Sequence, residues 1–310
     1  MSRDVFSLDP EREPEKDPHV PAAPEKARVF ARSPAVDAAP AERGSTASNE
    51  RLHRSHRSTK TLDSSRALYL GKRVYFLRES ELQTLIEIGT FRAIAAPDLA
   101  RIGYGGDTEQ MEREIRRLRD QSLLTEKTVR VERKTNTLLA LTRRGARLAR
   151  NSEAVPEGQT IYHGFVKPRE ARHDADLYRL YDAQARKIEE SGGRLTRVIL
   201  DFELKRDLNR ELATIPLQEQ TDEVRERIAE HHGLALVNGK IPVPDMRIEY
   251  DTAEMEHRHV DIELATRSYR PRALSEKAQA GFSLYARRED APRLRRVLDE
   301  REITAEILAL

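Results

Sequence analysis

Residues 107–150 read DTEQMEREIRRLRDQSLLTEKTVRVERKTNTLLALTRRGARLAR, and the spacing of apolar residues changes along them. Met111, Ile115 and Leu118 recur at helical spacing, and Asp107 or Thr108 offers a side-chain oxygen to the free N–H groups of a first turn. A helix is therefore predicted over 109–121, with Arg113, Arg116, Arg117 and Arg119 projecting away from its apolar stripe. Residues 123–132 and 137–142 are strand-like, joined by the polar turn Arg133-Lys134-Thr135-Asn136, and Arg143-Arg144-Gly145 opens another helix.

Upstream, Leu82, Leu85, Ile86 and Phe91 mark a first helix behind Arg78-Glu79-Ser80-Glu81, with Ser80 as the candidate cap. A short second helix runs from Ala96 through Ile102, with Pro97 tolerated in its first turn, and Gly103, Gly105 and Gly106 break it. This order reads as a winged helix-turn-helix over 67–150, a module whose usual partner is double-stranded DNA. The segment "SLLTEKT…TNTLLALTRRGARLA" resembles winged-helix domains of multiple-antibiotic-resistance type regulators and plasmid replication proteins. Between Glu126 and Arg150 eight Lys or Arg face two acids, the bias that phosphate contact requires. The DNA-binding candidates are Arg113, Arg116, Arg117 and Arg119 on the third helix, Arg130, Arg133 and Lys134 on the wing, and Arg143 and Arg144 beyond it. Glu109, Glu112, Glu114 and Asp120 have to face away from the groove. A winged helix used for protein contact or dimerisation is the alternative.

The 310 residues suggest two domains, and 38% hydrophobic with 35% charged residues is compatible with folded cores. A net charge of +2 and a pI of about 8.7 mean that affinity for nucleic acid has to come from local patches. The absence of cysteine excludes disulfides and thiolate metal sites. No apolar run approaches a membrane span and the charged start MSRDVFSLDPEREPEKD is no signal peptide, so a cytoplasmic protein is expected, without a membrane partner. Residues 1–66 hold seven of the fifteen prolines and few large apolar residues, and are expected to be disordered. Their basic end, Arg51, Arg54, Arg57 and Lys60 with no intervening acid, reads either as a DNA-touching arm or as a solvated linker.

Residues 151–172 carry Pro156, Gly158, Gly164 and Pro168 and are expected to connect to a second domain over 173–310. Its first helix carries Leu177, Leu180, Tyr181, Ala185 and Ile188 and ends at Ser191-Gly192-Gly193. A strand is predicted over 195–205, a mainly helical insertion over 206–238, and two strands over 244–251 and 258–267 as a hairpin. A helix over 273–280, a strand over 282–286 and a helix from Asp290 complete the order. The fold class is α+β in two domains, with helix, three strands, helix, strand, helix in the second.

That order resembles the core of the PD-(D/E)xK nuclease superfamily. Pro244-Asp245 opens one strand, and Asp261-Ile262-Glu263 lies in the next, with Val260, Ile262 and Leu264 inward and the acids on the opposite face. Asp245, Asp261 and Glu263 are the candidate catalytic and metal-binding carboxylates, since Mg²⁺ takes oxygen ligands and stabilises charge in phosphodiester hydrolysis. Where the superfamily has lysine two residues after the second acid, this chain has Ala265. Lys277 is the candidate relocated lysine and Lys205, two residues after Glu203, the next. A cleavage-dead fold is the alternative, because acids alternating with Val, Ile and Leu also describe any half-exposed strand. His173 is a candidate phosphate contact or proton carrier. His257 and His259 share the Asp261 and Glu263 face and suggest a histidine-carboxylate metal site, whereas His231-His232 read as a helix terminus.

"HDADLYRLY", "PDMRIEY", "DIELATRSYRP" and "EKAQAGFSLYA" behind the winged helix resemble the replication-relaxation family of plasmids and integrative elements. The resemblance implies DNA binding during mobile-element replication or transfer, with replication or relaxation proteins as partners. Three functions stay open: a DNA-binding protein of this kind, a Mg²⁺-dependent endonuclease, and a homodimeric non-catalytic regulator or scaffold.

Overall fold

A computed structural model of the chain describes residues 65–131, 134–165, 168–266, 269–299 and 307–309. The N-terminal tail up to residue 64, with its basic end, lies outside the described residues, as do Arg133 and the side chains of Arg130 and Lys134.

The chain is α+β. An unexpected hairpin comes first, β1 (Ser65–Leu70) and β2 (Arg73–Arg78), closed by Gly71, whose φ of +61° a side chain would strain. Three helices follow, α1 (Glu79–Thr90), α2 (Ala96–Gly103) and α3 (Thr108–Asp120), with the two-residue β3 (Ile94–Ala95) before α2. Asp107 caps α3 by accepting from Gln110 N–H at 2.9 Å, and Met111, Ile115 and Leu118 are buried as expected. Ser80, in contrast, does not cap α1. It lies inside the helix and donates to Glu114 of α3 at 2.9 Å, while Glu81 reaches back to Arg78 N–H at 2.9 Å.

Strands β4 (Leu124–Val131) and β5 (Lys134–Leu141) pair antiparallel, and β3 joins them in the order β3-β5-β4. The ladder continues to Val131 and Lys134, so Lys134, Thr135 and Asn136 of the predicted turn belong to β5. Helix α4 (Arg143–Arg150) then starts against Leu123, where a Cβ on Gly145 would sit 2.1 Å from the Leu123 carbonyl oxygen. Only glycine fits that approach.

The long helix α5 (Pro168–Glu190) leads to a five-stranded sheet of order β10-β9-β8-β7-β6. Strands β6 (Arg194–Leu200), β7 (Met246–Asp251) and β8 (His257–Ala265) are antiparallel neighbours, and β9 (Ser283–Ala286) and β10 (Ile307–Ala309) add in parallel. The β7–β8 hairpin was expected. The strand over 195–205 ends at Leu200, and residues 201–212 form helix α6 (Asp201–Leu212), placing Asp201 and Glu203 in a first turn where acids suit the helix dipole. Helix α7 (Asp222–His231) completes the insertion, and α8 (Pro271–Gln279) and α9 (Ala291–Asp299) flank β9 in sequence.

Alternation along the strands divides the apolar side chains between two cores. Ile248, Ile262, Leu264 and Tyr285 share a cluster with α5, whereas Ile199, Ala265, Leu284 and Ala286 pack with residues of α6, α7, α8 and α9. The α5 cluster continues without a break into α1, and Phe91, the cap residue after α1, lies 5.1 Å from the Tyr178 ring and 5.0 Å from the Tyr181 ring. Ion pairs line the same seam: Arg92 with Asp174 at 3.6 Å, Arg101 with Asp182 at 3.5 Å, and Arg179 with Asp98 at 3.6 Å. Among the described residues, no helix is long and apolar enough to cross a membrane.

Candidate active site and nucleic-acid interface

Antiparallel pairing sets the start of β7 beside the end of β8, and the first turns of α5 reach the same end of the sheet. Asp245, just before β7, accepts a hydrogen bond from Leu264 N–H at 2.8 Å and lies 3.2 Å from His173 Nε2. Glu263, fully buried on β8, accepts from Lys277 Nζ at 2.9 Å and from the Tyr269 hydroxyl. Lys277 also donates to the Val243 carbonyl at 2.6 Å, so α8 delivers its ammonium across the gap between β7 and β8. Asp245, Glu263, Lys277 and His173 thus converge, with Tyr269 added to them.

The charges of this group are interdependent. Burial and the negative charge of Asp245 push Glu263 up to about 7, although Lys277 and Tyr269 favour its ionised form. Burial would also raise Asp245, but hydrogen bonds from His173 and Leu264 and the nearby cations hold it below the usual carboxylate range. Burial opposes charge on His173, yet the hydrogen bond and charge of Asp245, with Asp174 and Asp201 beyond, raise it. Burial and Glu263 raise the Tyr269 hydroxyl, which stays a donor. Two neighbouring carboxylates that repel each other in a buried setting are a donor set that a hard divalent cation fits, through oxygen alone.

Asp261 is not part of this group. Its two oxygens accept from Arg247 Nε at 2.7 Å and Nη2 at 2.8 Å, and Arg247 further donates to the carbonyls of His232 and Gly233. The face carrying Asp261 and Glu263 is covered rather than half-exposed, so a charge on it needs a partner, and Arg247, directly across the ladder, supplies it. Lys205 is likewise removed: on α6 it pairs with Asp201 at 2.6 Å. His257 pairs with Asp251 at 3.2 Å at the exposed end of the hairpin, and His259 stands 3.8 Å from an Asp261 that Arg247 already holds. The predicted histidine-carboxylate group on this strand therefore does not assemble.

Sequence reasoning missed Tyr269 and Arg247. The position of Arg247 was available, because centring the hairpin on residues 252–256 sets it opposite Asp261.

The predicted DNA-contact residues divide by partner. Arg117 Nε lies 3.2 Å from Glu81, a fully buried carboxylate that burial pushes upward, so Arg117 neutralises the interior of the three-helix unit instead of projecting freely. Beside it, Glu114 is held by Ser80, Tyr104 at 2.7 Å and Gln110 at 3.0 Å, which takes one of the acids of α3 out of the solvent. Arg119 pairs with Glu126 of β4 at 2.8 Å, and Arg113 with Glu109 at 3.7 Å on the surface. Arg116 and Arg143 are exposed and Arg144 half-buried, each without a partner among the described residues. The outward side of α3 therefore mixes Arg113, Arg116 and Arg119 with Glu109, Glu112 and Asp120.

No family model, no curated protein and no solved structure matches this chain.

Proposed function

We propose that this chain is a cytoplasmic DNA-binding protein with a Mg²⁺-dependent phosphodiesterase site, acting in replication or transfer of a mobile genetic element. Residues 67–150 serve as the winged helix-turn-helix that holds duplex DNA, and residues 173–310 as a PD-(D/E)xK-like nuclease unit. The observation that carries this reading is the meeting of Asp245, Glu263 and Lys277 at one end of the sheet, with lysine arriving from α8 in place of Ala265.

Asp245 and Glu263 would hold the ion, which supplies positive charge to a phosphate oxygen and lowers the pKa of a bound water. Lys277 places its ammonium where charge develops on the scissile phosphate. Tyr269 fixes the Glu263 carboxylate, and His173 holds a proton on Nε2 while orienting Asp245. On the DNA side, Arg116, Arg143 and Arg144 are predicted contacts without a partner among the described residues, and a steep dependence of affinity on salt follows from phosphate contact.

The deciding experiment incubates purified protein with supercoiled plasmid in Mg²⁺ or Mn²⁺, beside EDTA and the Asp245→Asn and Glu263→Gln variants, and reads nicking and mobility shift on one gel. Nicking that needs the metal and both acids is the expected result. A shift without nicking would replace the enzyme by a non-cleaving DNA-binding scaffold. That second reading draws on the Lys277–Glu263 pair, which satisfies the carboxylate without any ion.

A further inference from the structure

Helix α6 ends beside the end of α7, and three metal-ligating side chains meet there. One oxygen of Glu211 receives both His231 Nδ1 at 2.9 Å and His232 Nε2 at 2.8 Å, and the three donor atoms lie within 4.8 Å of one another. We propose that Glu211, His231 and His232 form a transition-metal site that takes Zn²⁺, separate from the Asp245 and Glu263 pair.

Two imidazoles and a carboxylate suit zinc, whereas magnesium prefers oxygen alone. Consecutive histidines reach one point because one ring offers Nδ1 and the other Nε2, their centroids 5.1 Å apart. The site is also held in advance. Arg247, buried and locked to Asp261, grips the carbonyls of His232 and Gly233 at 2.6 and 2.8 Å and ties the end of α7 to the sheet. His231 is 71% exposed and gives the ion an entry path, while His232 is only 17% exposed. Bound zinc would pin α6 to α7 across the intervening connection and leave coordination open to water, since three protein ligands do not complete a tetrahedron.

The test strips the full-length protein of metal and titrates Zn²⁺ in competition with a chromophoric chelator. One zinc per chain is expected, lost in His231→Ala/His232→Ala, weakened in Glu211→Gln, and retained in Asp245→Asn/Glu263→Gln. X-ray absorption of the wild-type zinc complex should show nitrogen and oxygen neighbours with two imidazoles, a readout independent of how any variant folds. Absence of stoichiometric zinc binding, or binding unchanged in the double histidine variant, would overturn the assignment.

The β1–β2 ribbon carries a second unexplained surface. Its register pairs Tyr69 with Val74 and Ala67 with Phe76, so Tyr69, Val74 and Phe76 share an outer face, 68%, 45% and 64% exposed, while Tyr75 and Leu77 are buried on the other. Lys72 is exposed at the turn beside it, Arg66 and Arg73 are exposed at the alternate positions of the two strands, and no acid occurs between Ser65 and Arg78. We infer that the ribbon binds single-stranded nucleic acid, with bases stacking on Tyr69 and Phe76 and the phosphates drawn to a segment that carries cations and no acid. A duplex hides the base faces that this surface would take, so the inference stands apart from duplex binding by α3.

Fluorescence anisotropy with oligothymidine and with a duplex of equal length separates the two. Tyr69→Ala/Phe76→Ala should weaken single-strand binding by about tenfold or more, with the duplex unaffected. Single-strand affinity unchanged by this variant would overturn the inference. A dimer that becomes a monomer, with oligonucleotide binding intact, would instead assign the face to a second copy of the chain.

Discussion

Lys277 Nζ stands 2.9 Å from Glu263 Oε2, although the two residues belong to a helix and to the strand before it. The pair sets an ammonium over a carboxylate that burial and Asp245 have pushed up to about 7. Lys277→Met should therefore abolish metal-dependent nicking on the plasmid gel and leave the mobility shift in place. Retained nicking would remove Lys277 from the proposed chemistry.

The same carboxylate predicts a pH dependence of stability. Its folded value lies above the ordinary 4.5, so the folded state binds a proton that the unfolded chain releases between about 4.5 and 7. Stability from this group is full below that window and is lost as pH rises through it, on the order of 3 kcal/mol at most. His173, also raised, adds in the same direction at higher pH, its contribution fading as pH climbs from 6.5 through its folded value. Urea midpoints measured from pH 4.5 to 8 should fall with pH in the wild type and more gently in Glu263→Gln. Equal slopes would refute the assignment.

Arg116 and Arg117 are sequence neighbours with opposite expected phenotypes. Arg116→Ala should weaken duplex binding and lower the salt slope by about one unit with little change in melting temperature. Arg117→Ala leaves Glu81 buried without its cation and should cost about 1–3 kcal/mol of stability, with rescue by Glu81→Gln. Thermal melts and anisotropy titrations of the two variants separate these outcomes.

Asp261 answers to Arg247, so Asp261→Asn should lower stability by about 3–5 kcal/mol through the buried guanidinium it strands. Nicking per folded molecule, measured below the new melting temperature, should remain. A selective loss of nicking would return Asp261 to the metal site.

Gly145→Ala should destabilise the first half by about 2–4 kcal/mol, because its Cβ meets the Leu123 carbonyl at 2.1 Å. Gly105→Ala, whose Cβ meets nothing but whose φ is +60°, should cost only the roughly 1–2 kcal/mol of a left-handed side chain.

How much of this was legible in the sequence depended on element length. Helix α3 and the β7–β8 hairpin have enough residues to show a period, and their inward faces read correctly. Strands β3 and β10, of two and three residues, have no period to read, and pairing creates them. Asp201-Phe202-Glu203-Leu204-Lys205 alternates like a strand but equally suits a first helical turn, and helix formation decided it. At the candidate site, the meeting of Asp245, Glu263, Lys277 and His173 was readable from element order. The diversion of Arg117 to Glu81 was not, because only packing reveals that a glutamate of α1 is buried.

Helix α5 buries Tyr178 and Tyr181 against Phe91, so the two halves share one interior instead of hanging from a tether. The consequence is metrical. With that seam packed, the span from α3 to the Asp245 end of the sheet is set by the fold, and under the proposed function cuts would fall at a constant number of base pairs from the place where α3 docks.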